Sequence, residues 1–147
     1  MGGRPADRAL EAPDEIFLTP RVLLDTHVLV RWLLEPKRLS REQSRILRQA
    51  ARRLEPVAVS AITLLEIAVL SGTGRLKPGS LFHELETNPV FRILPLTIEI
   101  AQEVANLTSV LRDPSDCVIA STARVHGLRL LTSDRRIIDS NLVSTVE

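Results

Sequence analysis

The chain has 147 residues, 44% of them hydrophobic and 25% charged, enough for one domain with a sizeable core. The single Cys117 excludes an internal disulfide framework, a net charge of +1 is too neutral to argue nucleic-acid binding by itself, and 3% aromatics with no Tyr disfavour base stacking. No apolar run approaches the roughly 20 residues of a membrane span, and the N-terminus lacks the apolar core of a signal peptide, so a cytoplasmic protein with no membrane partner is expected.

Residues 1–19 are rich in Gly, Pro, Ala and charge and read as a flexible extension, leaving the domain over 20–147. Residues 21–24 are a short run without polar alternation, the pattern of a strand buried on both faces. The run ends in Asp25 and Thr26, where helical periodicity takes over. Ligands of open parallel sheets gather beyond the carboxyl ends of strands, so Asp25 either caps the following helix or belongs to a site. That helix, about 26–34, turns Val28, Leu29, Trp32 and Leu33 to the core, and Pro36 ends it. The next, about 40–54, carries Arg41, Arg45, Arg48 and Arg52 on one stripe, with Gln43, Ile46, Leu47, Ala50 and Leu54 opposite. The stripe is either a solvated face or a track for a phosphate backbone. Nearly all the cations are Arg, the better fork for phosphate oxygens; the lysines are Lys37 and Lys77.

Residues 56–60 read as a second strand, with Ser60 capping a helix over 61–70. That helix, AITLLEIAVL, is apolar nearly all round and should be largely buried, yet Glu66 sits in its middle. A buried carboxylate is kept mainly when it is paired, hydrogen-bonded or on a metal. A polar helix over 78–86 and a strand over 91–96, with Pro95 marking its end, follow; Thr97 then caps a helix to about 110. Asp113 and Pro114 form a strong start signal for a helix over 115–126, stopped by Gly127. Asp113 thus has a sufficient role as a cap, and Asp116 can serve the helix dipole. Residues 128–132 form a fourth strand, and Ser133-Asp134 repeats the hydroxyl and carboxylate that follow the first. A short helix over 135–138 and a strand over 142–146 close an α/β alternation around a short parallel sheet.

Asp25, Glu66, Asp116 and Asp134 fall at element junctions or in a buried helix, and right-handed crossovers bring strand ends and helix starts to one edge. Four carboxylates cannot crowd together ionised without a counter-charge. An all-oxygen set suits Mg²⁺ or Mn²⁺, whereas His27, His83 and His126 are too scattered, and Cys117 too isolated, for zinc.

The segments LLDTHVLVRWL, SAITLLEIAVL and DPSDCVIASTARVHGLRLLTSD together resemble the PIN-domain family, and within it the VapC-like toxins of toxin–antitoxin pairs. The likeness runs from about residue 21 to the C-terminus, with Leu65 where many relatives carry Trp and Leu111-Arg112 where close relatives often carry a basic residue or His. It implies a three-layer α/β/α sandwich around about four to five parallel strands. Its acidic set maps onto Asp25, Glu66, Asp116 and Asp134, with Thr26, Thr132 and Ser133 as hydroxyl neighbours and Asp113 kept as a cap. It further implies a metal-dependent single-strand endoribonuclease. Asp25 and Asp116 would be inner ligands, Glu66 and Asp134 would hold a second metal or an oriented water, and the products would carry a 5′-phosphate and a 3′-hydroxyl. The expected partners are RNA, a cognate antitoxin and a second copy of the chain, with Arg41, Arg45, Arg48 and Arg52 as an RNA-backbone track.

Three rivals are weaker. A phosphoacceptor domain needs adjacent acids after the first strand and a Lys after a late one, and neither is present. A nuclease for structured DNA flaps needs added elements that this length does not accommodate. A non-catalytic module holding a basic peptide in the acidic groove is the alternative that nuclease activity would separate.

Overall fold

The structure, a computed structural model, describes residues 19–77 and 79–147; the predicted extension lies outside them except for Thr19. Five parallel strands form one sheet in the order β3-β2-β1-β4-β5: β1 Val22–Leu24, β2 Val57–Ser60, β3 Phe91–Leu94, β4 Arg129–Leu131 and β5 Thr145–Val146. Between them run α1 Thr26–Leu34, a 3₁₀ turn Pro36–Arg38, α2 Arg41–Arg53, α3 Ala61–Gly72, α4 Gly79–Thr87, α5 Ile98–Leu107, α6 Pro114–His126 and α7 Arg135–Ser140.

The absence of alternation in the strands is explained by two cores, one on each face. Val22, Leu24, Val57, Val59 and Leu131 meet Val28 and Leu29 of α1, Leu47 and Ala50 of α2, Ile67 of α3 and Leu81 and Leu85 of α4. Leu23, Ala58 and Leu130 point the other way, onto Leu107, Ile119, Ala120, Ala123 and Ile137 of α5, α6 and α7. The predicted three-layer sandwich is thus present. From β1 the chain first steps outward through β2 to β3, then returns past β1 to β4. Right-handed crossovers force the helices onto the opposite face after that reversal, which makes the gap between β1 and β4 the topological switch point.

The elements fall within about two residues of their expected limits, with two larger differences at ends. The last strand is only Thr145–Val146 rather than 142–146. Asn141 closes α7 in the left-handed region, and the Ser140 hydroxyl accepts the Leu142 amide, so the chain is still turning where an apolar run suggested extension. The helix expected to reach residue 110 stops at Leu107, where Leu107 O accepts the amides of both Val110 and Leu111.

Candidate active site

β1 ends at Leu24 and α1 begins at Thr26, so Asp25 is both the first residue past the strand and the helix cap. The cap reading of this residue therefore holds, and the strand-end position that suggested a site is the one it occupies. Its Oδ1 accepts the Thr26 amide at 2.8 Å, while Oδ2 accepts the Thr132 hydroxyl at 2.7 Å from across the switch point. The residue is 5% exposed, and its orientation is fixed from two strands at once. His27 spans the same gap. Its Nε2 accepts the Ser133 amide at 2.9 Å, which leaves the proton on Nδ1, 3.4 Å from Asp25 Oδ2. Burial holds the imidazole below its ordinary pKa, against the pull of Asp25.

Glu66 projects from α3 toward the same place. Its Oε1 accepts the Thr26 hydroxyl, and Thr26 in turn lies 2.9 Å from the fully buried hydroxyl of Thr63, one turn earlier on α3. Burial, then Asp25 and Asp113, raise the Glu66 carboxyl above its ordinary value, and the hydroxyls of Thr26 and Ser115 oppose the rise. Asp116 stands in the first turn of α6 with its side chain 13% exposed. Burial and the charges of Asp113, Asp25 and Asp134 push it up to about 7, with Arg136 opposing. Asp134 caps α7 by accepting the Arg136 amide, and it also takes the Arg136 guanidinium at 3.2 and 2.8 Å. That fork holds Asp134 below the usual carboxylate range. The same guanidinium reaches Asp116 Oδ2 at 3.4 Å, so one arginine bridges two of the acids.

All four predicted acids, with Asp113 and Thr26, line one cleft of about 370 Å³. Its other polar walls are His27, Arg31, Glu35, Arg38 and Arg136. Ser133 sits at its edge, where its hydroxyl accepts from Arg31 and Gln43 at 3.4 Å each. The predicted arginine stripe is solvent-exposed, as its spacing required, but none of Arg41, Arg45, Arg48 or Arg52 lines this cleft. Arg31, Arg38 and Arg136 do. Sequence reasoning passed over these three, and over Thr63, whose short hydroxyl is inconspicuous in an apolar helix.

The donors are all oxygen, and the raised Asp116 marks negative charge that the protein leaves only partly balanced. A hard divalent cation relieves that imbalance. Among the described residues no three of His, Cys, Asp or Glu form a ready-made cation site. Mg²⁺ commonly keeps several waters and takes only one or two carboxylates, so the set fits an open, hydrated site rather than a closed cage.

The model of the PIN domain matches residues 22–140, which contain the whole cleft. The chain belongs to the PIN-domain family. Ribonuclease VapC22 of Mycobacterium tuberculosis is 36% identical over 121 residues, which is 79% of this chain and 88% of that protein. FitAcB from Neisseria gonorrhoeae superposes with a TM-score of 0.65 at 28% identity, covering 86% of this chain and 96% of that one. The structure of FitAB bound to an IR36 DNA fragment gives 0.59 at 29% identity, over 85% and 93% of the two chains. In this PIN domain, Asp25 directly follows β1 and Asp134 caps α7 just past β4, the two strands that flank the switch point, while Glu66 and Asp116 reach in from α3 and α6.

Proposed function

We propose that this PIN-domain protein is the ribonuclease toxin of a toxin–antitoxin pair. It would act in the cytoplasm on single-stranded RNA, with Mg²⁺ or Mn²⁺ held by Asp25 and Asp116, and with Glu66 and Asp134 holding a second ion or an oriented water. The observation that carries the reading is that four carboxylates converge beside the β1/β4 switch point of a chain 36% identical to a VapC ribonuclease. A bound ion supplies Lewis acidity to the scissile phosphodiester and acidifies the attacking water.

The protein's own groups do the rest. Thr132 and the Thr26 amide lock Asp25, so no reorganisation of that carboxylate is needed at the moment of reaction. The Thr63–Thr26 hydroxyl pair aims Glu66 into the cleft. Its raised pKa makes Glu66 a better proton acceptor from water than an ordinary carboxylate. Arg31, Arg38 and Arg136 offset the repulsion between an acidic cleft and a polyanion. Arg136 also demonstrates that Asp116 and Asp134 accept a guanidinium, which supports a basic antitoxin segment as the inhibitor. Leu65 and Val69, one turn apart on α3 and 57% and 56% exposed, offer apolar area for the antitoxin or for a homodimer partner.

The test is cleavage of a mixed single-stranded RNA pool in Mg²⁺ or Mn²⁺ against EDTA, with analysis of the new ends. Metal-dependent cutting that leaves 5′-phosphates is expected. No cutting by folded, antitoxin-free protein would overturn the assignment and leave the peptide-binding module in its place.

A further inference from the structure

A second cavity, about 380 Å³, opens at the amino-terminal edge of the sheet, the end opposite the acids. Four arginines from three elements line it, against a single carboxylate, Glu55: Arg21 just before β1, Arg129 at the start of β4, and Arg45 and Arg53 on α2. In a chain of net charge +1 this is a concentration of one sign. The Arg129 amide donates to the Arg21 carbonyl at 3.2 Å, which brings the starts of β1 and β4 together at this cavity. Arg45 is neutralised by Glu42, at 2.5 and 3.0 Å. Arg21, Arg53 and Arg129 have no ion-pair partner among the described residues.

We infer that this cavity is a second contact for the RNA strand, in which Arg21, Arg53 and Arg129 hold backbone phosphates away from the cutting site. The inference rests on the ribonuclease reading for the identity of its ligand. Guanidinium forks match phosphate oxygens, and a site without stacking aromatics takes backbone rather than bases. α2 supplies the route between the two sites. Its first end lies by the acids, where Ser40 donates to the Glu147 carbonyl and Gln43 reaches Ser133. Its last residue, Arg53, lines the cavity, and the exposed Arg41, Arg48 and Arg52 stud the face between. The 13 residues of α2 put the two sites about 20 Å apart along the surface, within the reach of a strand of several nucleotides of RNA.

The test is fluorescence anisotropy of a labelled single-stranded RNA against full-length protein in EDTA, where nothing is cut. Wild type is compared with the double variant Arg53→Ala/Arg129→Ala, with the milder Arg53→Gln/Arg129→Gln, and with Arg75→Ala, an exposed arginine outside the cavity, as control. Both double variants should bind more weakly than wild type and the control. The slope of log affinity against log salt should be shallower by about 1.4, at roughly 0.7 for each phosphate no longer neutralised. Equal RNA binding by all four proteins overturns the inference, as does weakening by Arg75→Ala as large as that of the double variants. Equal RNA binding with a fall in thermal stability of the double variants means that the arginines hold another part of the chain, and also overturns it. Inorganic phosphate binding that the double variants lose while RNA binding stays unchanged reassigns the cavity to a free anion, with the same consequence. Because binding is read without metal, wild type that binds RNA through this cavity in EDTA yet cuts none once Mn²⁺ is supplied would sink the ribonuclease reading and leave the contact standing.

Discussion

Asp116→Asn should stabilise the metal-free protein while removing its response to metal. The Asp116 carboxyl is pushed from 3.8 up to about 7 by burial and by Asp113, Asp25 and Asp134, which corresponds to at most ~4 kcal/mol of destabilisation in the ionised state. The cleft is open to water, which screens these repulsions, and a first-turn carboxylate regains ~0.5 kcal/mol from the helix dipole. A net gain of ~1–2 kcal/mol for the variant at pH 8 remains. The folded state holds the Asp116 proton more tightly than the unfolded chain does. The penalty is therefore absent near pH 3, grows as pH rises through the interval between 3.8 and about 7, and is complete above it. The advantage of Asp116→Asn must accordingly shrink as pH falls from 8 to 5. His27, held below its ordinary pKa, costs stability at the acid end of that range, but equally in both proteins. Urea unfolding followed by circular dichroism in EDTA at both pH values measures the gap. Mn²⁺ at a hundred times its dissociation constant should then stabilise wild type by about 2.7 kcal/mol and the variant far less, reversing the order. A variant less stable than wild type at pH 8 without metal, or a gap independent of pH, would refute the reasoning.

Arg136→Gln removes the guanidinium that bridges Asp116 and Asp134; calorimetric titration should show tighter Mn²⁺ binding, because the resident counter-charge no longer competes. Thr63→Val breaks the buried hydroxyl contact behind Thr26 and Glu66; it should cost about 1 kcal/mol of stability in denaturant and lower kcat more than it changes KM. Leu54, 69% exposed with φ of 55°, closes α2 in the left-handed region that favours glycine. Leu54→Gly should therefore raise stability by roughly 0.5–1 kcal/mol in thermal unfolding.

Three of the four acids stood out because each broke a local pattern in the sequence. Asp25 directly follows an apolar strand, Asp134 comes three residues after another, and Glu66 interrupts a largely apolar helix. Asp116 was the least conspicuous, since the start of a helix tolerates a carboxylate without any further purpose. The arginine stripe gave its exposure correctly, but periodicity carries no information on which cavity a solvated face adjoins. Arg31, Arg38 and Arg136 reach the acids from a helix end, a 3₁₀ turn and a short terminal helix, where no period exists to be read. Gln43 falls on the packing face by its spacing and proves fully buried. Its amide spans from the α2 capping box to the Val146 carbonyl, a long-range contact that no local pattern encodes.

The most direct measurement is RNA cleavage in Mn²⁺ by wild type, Asp25→Ala and Glu66→Ala side by side, with circular dichroism on each. Cutting by wild type and none by either variant is expected, with all three folded. Cutting that survives both substitutions would place the chemistry outside this cleft and contradict the assignment of the four acids.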